Sequence, residues 1–296
     1  PWLGFRGGIH PGKVLPGWTP MESEGATVRC WGREIELANT GLPAAIISQG
    51  ENMLAAPMAL KIMLDGRETT LGDRVPPTAE KANDAVVVMR GTAKAGSIDI
   101  STWVTTEFDG MMKIETTLTP REAVQVGRLK IEIPMRTKNA AFLGFWTGHR
   151  NFRWSTDYRL LPEKEGVLFS SVKPGRAVNK AIVGSFIPYV FLGDDYRGIA
   201  WFAENDRGWT KSEEVPAVEV ERVGEVTTLR MNVFHEETEL REPLTLTFGL
   251  HPVPVKPRPA NSRSLALEMN FGFVDSFSKQ HLKTNGNDGN FNIYPI

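Results

Sequence analysis

Apolar residues recur at every second position along much of this chain, and that alternation decides what it can fold into. A two-residue side-chain period places one set of side chains on each face of a strand. Ile98, Ile100 and Val104 alternate up to Phe108-Asp109-Gly110, and Met112, Ile114, Thr116 and Leu118 alternate away from it. That pattern predicts a hairpin. Val28, Cys30, Ile35 and Leu37 predict a strand pair or bulged strand after Gly25. Met58, Leu60, Ile62 and Leu64 run into Asp65-Gly66, a strong turn signal. The same alternation returns at Leu129 to Met135, at Val218 and Val220, at Leu229 to Val233, and at Leu244 to Leu250.

Helical signals are weak. Leu42 to Leu60 is apolar but interrupted by Pro43, Gly50 and Pro57, and Ser264 to Leu282, the one plausible helix, contains Gly272. The expectation is an all-β chain, with about a dozen strands in one large antiparallel β-sandwich of the supersandwich kind. Each strand then has a core face and a solvent or partner face. The segment His251-Pro-Val-Pro-Val-Lys-Pro-Arg-Pro259 fixes an extended, semi-rigid connector. It divides the chain into an N-terminal arm (1–25), a sandwich domain (26–251) and a proline-rich connector with a short C-terminal extension (252–296).

Charge and motifs exclude several functions. The 34 basic and 35 acidic residues nearly cancel, so no basic excess points to nucleic acid. Cys30 is the single cysteine, which rules out an intrachain disulfide, and its place in an alternating run predicts a buried structural thiol. The longest apolar run, Ala181 to Leu192, is broken by Gly184 and Pro188 and is too short for a membrane helix. Pro1-Trp2-Leu3-Gly4 has neither an initiating Met nor a basic start, so an excised or processed chain is expected. His10, His149, His235, His251 and His281 are scattered, with no H-E-x-x-H pair. Ser276 and Lys279 match S-x-x-K without its companion elements, and no G-x-S-x-G elbow or phosphate loop is present. Asn285, Asn287 and Gly289 read as a turn rather than a calcium loop. No metal, cofactor or catalytic residue is therefore expected.

Two aromatic and charged stretches remain as candidates for contact. From Tyr189 to Trp209 they are Asp195, Arg197, Trp201, Glu204, Asp206, Arg207 and Trp209. From Phe142 to Arg159 they are Trp154, Tyr158 and Arg159. Aromatic faces stack on sugars while carboxylates and guanidinium groups bond hydroxyls. The same residues also build packed junctions, with ion pairing to Arg197 and Arg207 and with Trp146 and Trp154 plugging an end of the sandwich. Both readings stay open. Asp194 and Asp195 are expected to point apart, whereas Glu204 and Asp206 share parity and would face one side of a strand.

Gly193-Asp-Asp-Tyr-Arg-Gly-Ile-Ala-Trp-Phe-Ala-Glu-Asn-Asp-Arg-Gly-Trp209 resembles a signature of large bacterial proteins related to glycoside hydrolase family 123. Shorter pieces agree in order: Trp18-Thr-Pro20, Cys30-Trp-Gly-Arg33, Gly41-Leu-Pro43, Leu54-Ala-Ala-Pro-Met58 and Phe248 to Pro257. The resemblance spans roughly Trp2 to Pro259. It implies a β-sandwich preceding a (β/α)8 barrel that acts on β-linked N-acetylgalactosamine through an adjacent Asp-Glu pair. No Asp-Glu dipeptide occurs in this sequence, so no catalytic residue carries over. Asn292-Ile-Tyr-Pro295 resembles the approach to the first barrel strand.

The resulting expectation is a non-catalytic accessory sandwich of a glycoside-hydrolase-like protein, packed on a C-terminal barrel and contributing to its glycan cleft. By resemblance it is secreted, periplasmic or at the cell surface. Two alternatives stand beside it. One is a carbohydrate-binding module acting through Trp154, Trp201 or Trp209. The other is a self-associating structural protein of an envelope or extracellular assembly.

Overall fold

A computed structural model describes residues 12–69, 71, 75–146, 156–172 and 185–257. Among them the chain forms twenty-one strands and one 3-10 turn, Thr137–Asn139. In chain order the strands are β1 (Glu22–Glu24), β2 (Thr27–Cys30), β3 (Arg33–Leu37), β4 (Pro43–Ser48), β5 (Glu51–Asn52), β6 (Ala59–Leu64) and β7 (Arg67–Thr69). They continue as β8 (Thr78–Ala82), β9 (Val86–Ala95), β10 (Ile98–Glu107), β11 (Met112–Pro120), β12 (Val124–Arg136), β13 (Phe142–Trp146) and β14 (Thr156–Leu160). The last are β15 (Gly166–Ser170), β16 (Tyr189–Gly193), β17 (Gly198–Phe202), β18 (Val218–Val223), β19 (Val226–Phe234), β20 (Thr238–Leu240) and β21 (Leu244–Val253).

The strands form three antiparallel sheets. The largest has the order β14-β13-β16-β17-β21-β11-β10-β9-β8. The second runs β15-β18-β19-β12-β6-β7, with β20 also on β12, and the third is the meander β1 to β5. The all-β antiparallel expectation holds, but the strands are more numerous and divide into a sandwich plus a small third sheet. No helix among the described residues is long and apolar enough to cross a membrane. The segment Ser264 to Leu282, weighed as a helix and marked against by Gly272, lies outside the described residues, as do Trp154, Ser276, Lys279, Asn285, Asn287 and Gly289. The compact unit that holds the sheets ends at Lys256; a second, Pro257–Ile296, is described only at Pro257.

Alternation becomes burial in the long strands. In β10, Ile98, Ile100, Thr102, Val104 and Thr106 are buried, and the intervening residues are not. The β10–β11 hairpin turns at Asp109-Gly110 as expected, with Gly110 at φ 82°. Asp65 (φ 50°) and Gly66 (φ 70°) make the left-handed turn between β6 and β7. Apolar side chains of all three sheets join one core, from Ile35 and Ile46 through Ile114 and Leu250 to Ile133 and Met231. Cys30 is buried there, as expected. Burial pushes its thiol pKa up, and the nearby Arg33 opposes that rise.

The outer faces of the two large sheets differ. On the seven-stranded sheet, Arg230 Nε donates to Glu132 Oε1 at 2.8 Å and its Nη2 to Glu221 Oε2 at 2.9 Å. Asn232 Nδ2 reaches Glu219 Oε2 at 2.9 Å. These groups satisfy one another across β12, β19 and β18.

Candidate functional site

The first candidate stretch folds into the β16–β17 hairpin, and its charges are engaged in holding that hairpin to the small sheet. Asp194 Oδ1 accepts from the backbone N–H of Tyr196 at 2.6 Å and of Arg197 at 2.8 Å. This is the local bonding that makes aspartate a turn former. Asp194 Oδ2 accepts from Asn139 Nδ2 at 2.8 Å. Arg197 pairs with Glu51 on β5, and Lys138 Nζ lies 2.7 Å from Glu51 Oε1. Asp195 and Tyr196 are exposed at the turn. A network of five side chains, Glu51, Lys138, Asn139, Asp194 and Arg197, thus joins the small sheet, the 3-10 turn and the large sheet.

Lys138 holds the Glu51 carboxyl below its usual pKa, with Asn139 and Arg197 adding to the effect and burial opposing it. A carboxylate whose folded pKa is depressed stabilises the fold above its unfolded pKa. That contribution disappears as pH falls through the folded value. Urea unfolding of the native chain and of Glu51→Gln should therefore differ at pH 7. The gap is expected to narrow as pH drops below about 4.3, the ordinary glutamate pKa. A gap that stays constant down to pH 3 would refute the assignment.

The second half of the stretch is not a strand. β17 ends at Phe202, so the parity expected to align Glu204 with Asp206 does not apply. Glu204 and Arg207 are exposed in a loop, where Asn205 Oδ1 accepts the Arg207 N–H at 3.1 Å. Asp206 Oδ2 lies 3.2 Å from Lys211 Nζ. Trp209 is half-buried, edge-on to Phe186 at 5.1 Å between centroids and 6.2 Å from Trp201. Trp201 is 0% exposed, on the core-facing side of β17, out of reach of any ligand. A small recess, lined among others by Phe186, Trp209, Thr210 and Lys211, opens here.

The outward side of the same strands carries Tyr189, Phe191 and Phe202, which the sequence did not single out for contact, and Tyr158 on β14, which it did, lies on that face too. Strand register pairs Tyr189 with Phe202, Phe202 with Gly249, Phe191 with Gly144 and Gly144 with Tyr158. The rings lie over glycines. A Cβ at Gly249 would fall 2.2 Å from Phe202 Cζ, one at Gly198 2.5 Å from Phe191 Cζ, and one at Gly144 2.5 Å from Tyr158 Cε1. Missing side chains on one face of consecutive strands signal such close approach, and Gly144, Gly193, Gly198 and Gly249 are that signal. Tyr158 is 60% exposed, at the sheet edge. Burial first, then the Tyr158 hydroxyl, pushes the Tyr189 hydroxyl up to about 12. Arg159, also exposed, stands 4.9 Å over the Phe145 ring. Trp103 and Arg90 share the outward face farther along, 5.3 Å apart as a cation–π pair.

Among the described residues no three His, Cys, Asp or Glu side chains gather as a metal site. His251 Nε2 lies 3.3 Å from the Asp109 carbonyl, and His235 Nδ1 bonds Thr210 Oγ1.

Residues 21–166 match the family model described as glycoside hydrolase 123, third domain. The resemblance drawn from the sequence motifs holds over that stretch, which takes in the small sheet and strands as far as the start of β15. No curated protein matches the chain. Among solved structures, a galactose mutarotase related enzyme from Lactobacillus acidophilus is 8% identical with a TM-score of 0.44, covering 79% of this chain and 98% of its own. A copper-containing benzylamine oxidase from Hansenula polymorpha is 9% identical with a TM-score of 0.44, covering 83% of this chain and 63% of its own.

Proposed function

We propose that this chain is the non-catalytic β-sandwich region of a glycoside-hydrolase-like protein, bracing a C-terminal barrel and contributing to the rim of its glycan cleft. The match of residues 21–166 to the third domain of glycoside hydrolase 123 carries this reading. The engagement of Asp194, Arg197 and Glu51 in a network that ties the hairpin to the small sheet supports it, because these side chains are taken up in holding the sheets together. In this reading the parent protein works outside the cytoplasm, as a secreted, periplasmic or cell-surface protein.

A second reading, glycan contact by the sandwich itself, is favoured by one observation. Tyr158, Tyr189, Phe191 and Phe202 share one sheet face, with ring surface and two phenol hydroxyls side by side. Ring faces stack on the apolar faces of pyranosides, and hydroxyls bond their rims.

One set of measurements tests both. The purified chain is incubated with an aryl β-N-acetylgalactosaminide, and hydrolysis above the buffer blank would overturn the first reading. It is then titrated calorimetrically with neutral β-linked hexosamine oligosaccharides. On the second reading, Tyr158→Ala weakens binding at least roughly fivefold, an aromatic-contact loss of about 1 kcal/mol. Trp103→Ala, farther along the face, leaves binding unchanged. Absence of binding by the native chain rejects the second reading and leaves the first standing.

A further inference from the structure

The small sheet makes contacts that the sandwich core does not require, and they converge on the segment where the chain leaves β21. Arg33 Nη1, from β3, donates to the Pro254 carbonyl at 3.1 Å. Ser48 Oγ, from β4, donates to the Val253 carbonyl at 3.2 Å. The Lys256 ammonium stands 4.5 Å from the centroid of Trp18 and 5.7 Å from that of Trp31. Trp18 in turn is edge-on to Trp31 at 6.0 Å and to Phe108 at 5.0 Å.

The chemistry of the exit segment explains why it is held this way. Pro252, Pro254 and Pro257 have no backbone N–H, so this stretch cannot continue a two-sided ladder beyond β21. Its carbonyls can still accept, and Arg33 and Ser48 each donate a side-chain hydrogen bond to one. The remaining grip is cation–π, from the Lys256 ammonium over the rings of Trp18 and Trp31. Arg33 is built in for the task. It is 4% exposed, and a Cβ at Gly110 would fall 2.8 Å from its Nε, so the tip of the β10–β11 hairpin makes room for the guanidinium.

We propose that the small sheet is an intramolecular seat for the proline-rich exit segment, Val253 to Lys256, and that it fixes the direction in which the chain leaves the sandwich. Its use to the protein rests on the bracing role proposed above, since a brace needs a defined exit. The seat itself does not depend on that role.

Backbone 15N relaxation of the full chain tests it. Val255 and Lys256 are expected to show order parameters near 0.85, as in a rigid backbone, and to fall below about 0.6 in Trp18→Ala and in Lys256→Ala. The amides of β9 and β10 should not change. Lys256 is exposed, so its alanine variant remains readable even if Trp18→Ala fails to fold. Order parameters already below about 0.6 in the native chain, or unchanged in Lys256→Ala, would overturn the seat. Neither outcome bears on the hydrolysis and glycan measurements, so failure of the seat and failure of the bracing role are separable.

Discussion

Trp201→Ala is expected to lower the unfolding free energy by about 3–5 kcal/mol, the range for removing a large buried aromatic side chain. Trp201 is the largest fully buried side chain among the described residues. Its strand partners in register are Val190 on β16 and Leu250 on β21, both 0% exposed, so little around it can relax into the vacated space. Its indole Nε1 has no hydrogen-bond partner among the described residues, so the ring contributes volume rather than a polar contact. Trp201→Phe keeps much of that volume and removes a buried unpaired donor, a group that costs about 1–3 kcal/mol when left unmatched. The phenylalanine variant should therefore lose far less than the alanine variant. Trp103→Ala, at 37% exposure on the outer face, should lose only about 1 kcal/mol. Equilibrium urea unfolding of the three variants checks the order. Equal losses for Trp201→Ala and Trp103→Ala would show that Trp201 is not a core residue.

This ranking bears on how the candidate stretch could be read from sequence. Trp201 and Phe202 are adjacent, and in a strand adjacent residues face opposite sides. A one-residue change of parity exchanges the buried set for the exposed set. β17 is only five residues long, Gly198–Phe202, with four of them buried, so its own pattern offers no alternation to fix the parity. The answer comes from its partners: Leu250 opposite Trp201 is core, and Gly249 opposite Phe202 leaves room for a ring. The longer strands needed no such help. In β10 the spaced Ile98, Ile100 and Val104 are buried, with Thr102 and Thr106 at the same parity, and in β11 Met112, Ile114, Thr116 and Leu118 are all buried.

The outer strands of the small sheet and the edge of the large one were least legible for a related reason, whereas β2 and β3 bury the spaced Val28, Cys30, Ile35 and Leu37 as expected. β1 is Glu-Ser-Glu and wholly exposed, β5 has two residues, and the edge strand β8 is exposed at all five positions. Strands that bury nothing carry no apolar period, and hydrogen bonding to a neighbour places them instead. The charged residues around Asp194 were legible as to kind but not as to partner. Glu51, Lys138 and Arg197 are brought together from distant parts of the chain, and no local pattern records that meeting.

Gly91→Ala is expected to destabilise the protein by about 3 kcal/mol or more, at or above the upper end for overpacking a closed interior. Gly91 lies in the middle of β9, opposite Thr102. A Cβ there would fall 2.2 Å from the Gly41 nitrogen, 2.4 Å from Gly41 Cα and 2.6 Å from the Thr40 carbonyl carbon. All three are backbone atoms, so no side chain can swing aside. The Ala38–Leu42 turn is itself tied by Gly41 N–H to the Ala38 carbonyl and Ala38 N–H to the Leu42 carbonyl, each at 2.8 Å. Gly41 sits at φ 83°, and its own Cβ would meet the Gly91 backbone at 3.2 Å. The two glycines are therefore a single contact, made where the small sheet meets the large one. Relief requires moving the turn between β3 and β4 off β9, so the loss should appear as faster amide exchange in those two strands as well as a lower urea midpoint. Gly224→Ala is the control: φ is 55°, but nothing lies within 4 Å, so only backbone strain of about 1 kcal/mol is added. Gly91→Ala unfolding within about 1 kcal/mol of the native chain would contradict this backbone-to-backbone contact, since overpacking at such a site costs about 1–3 kcal/mol or more.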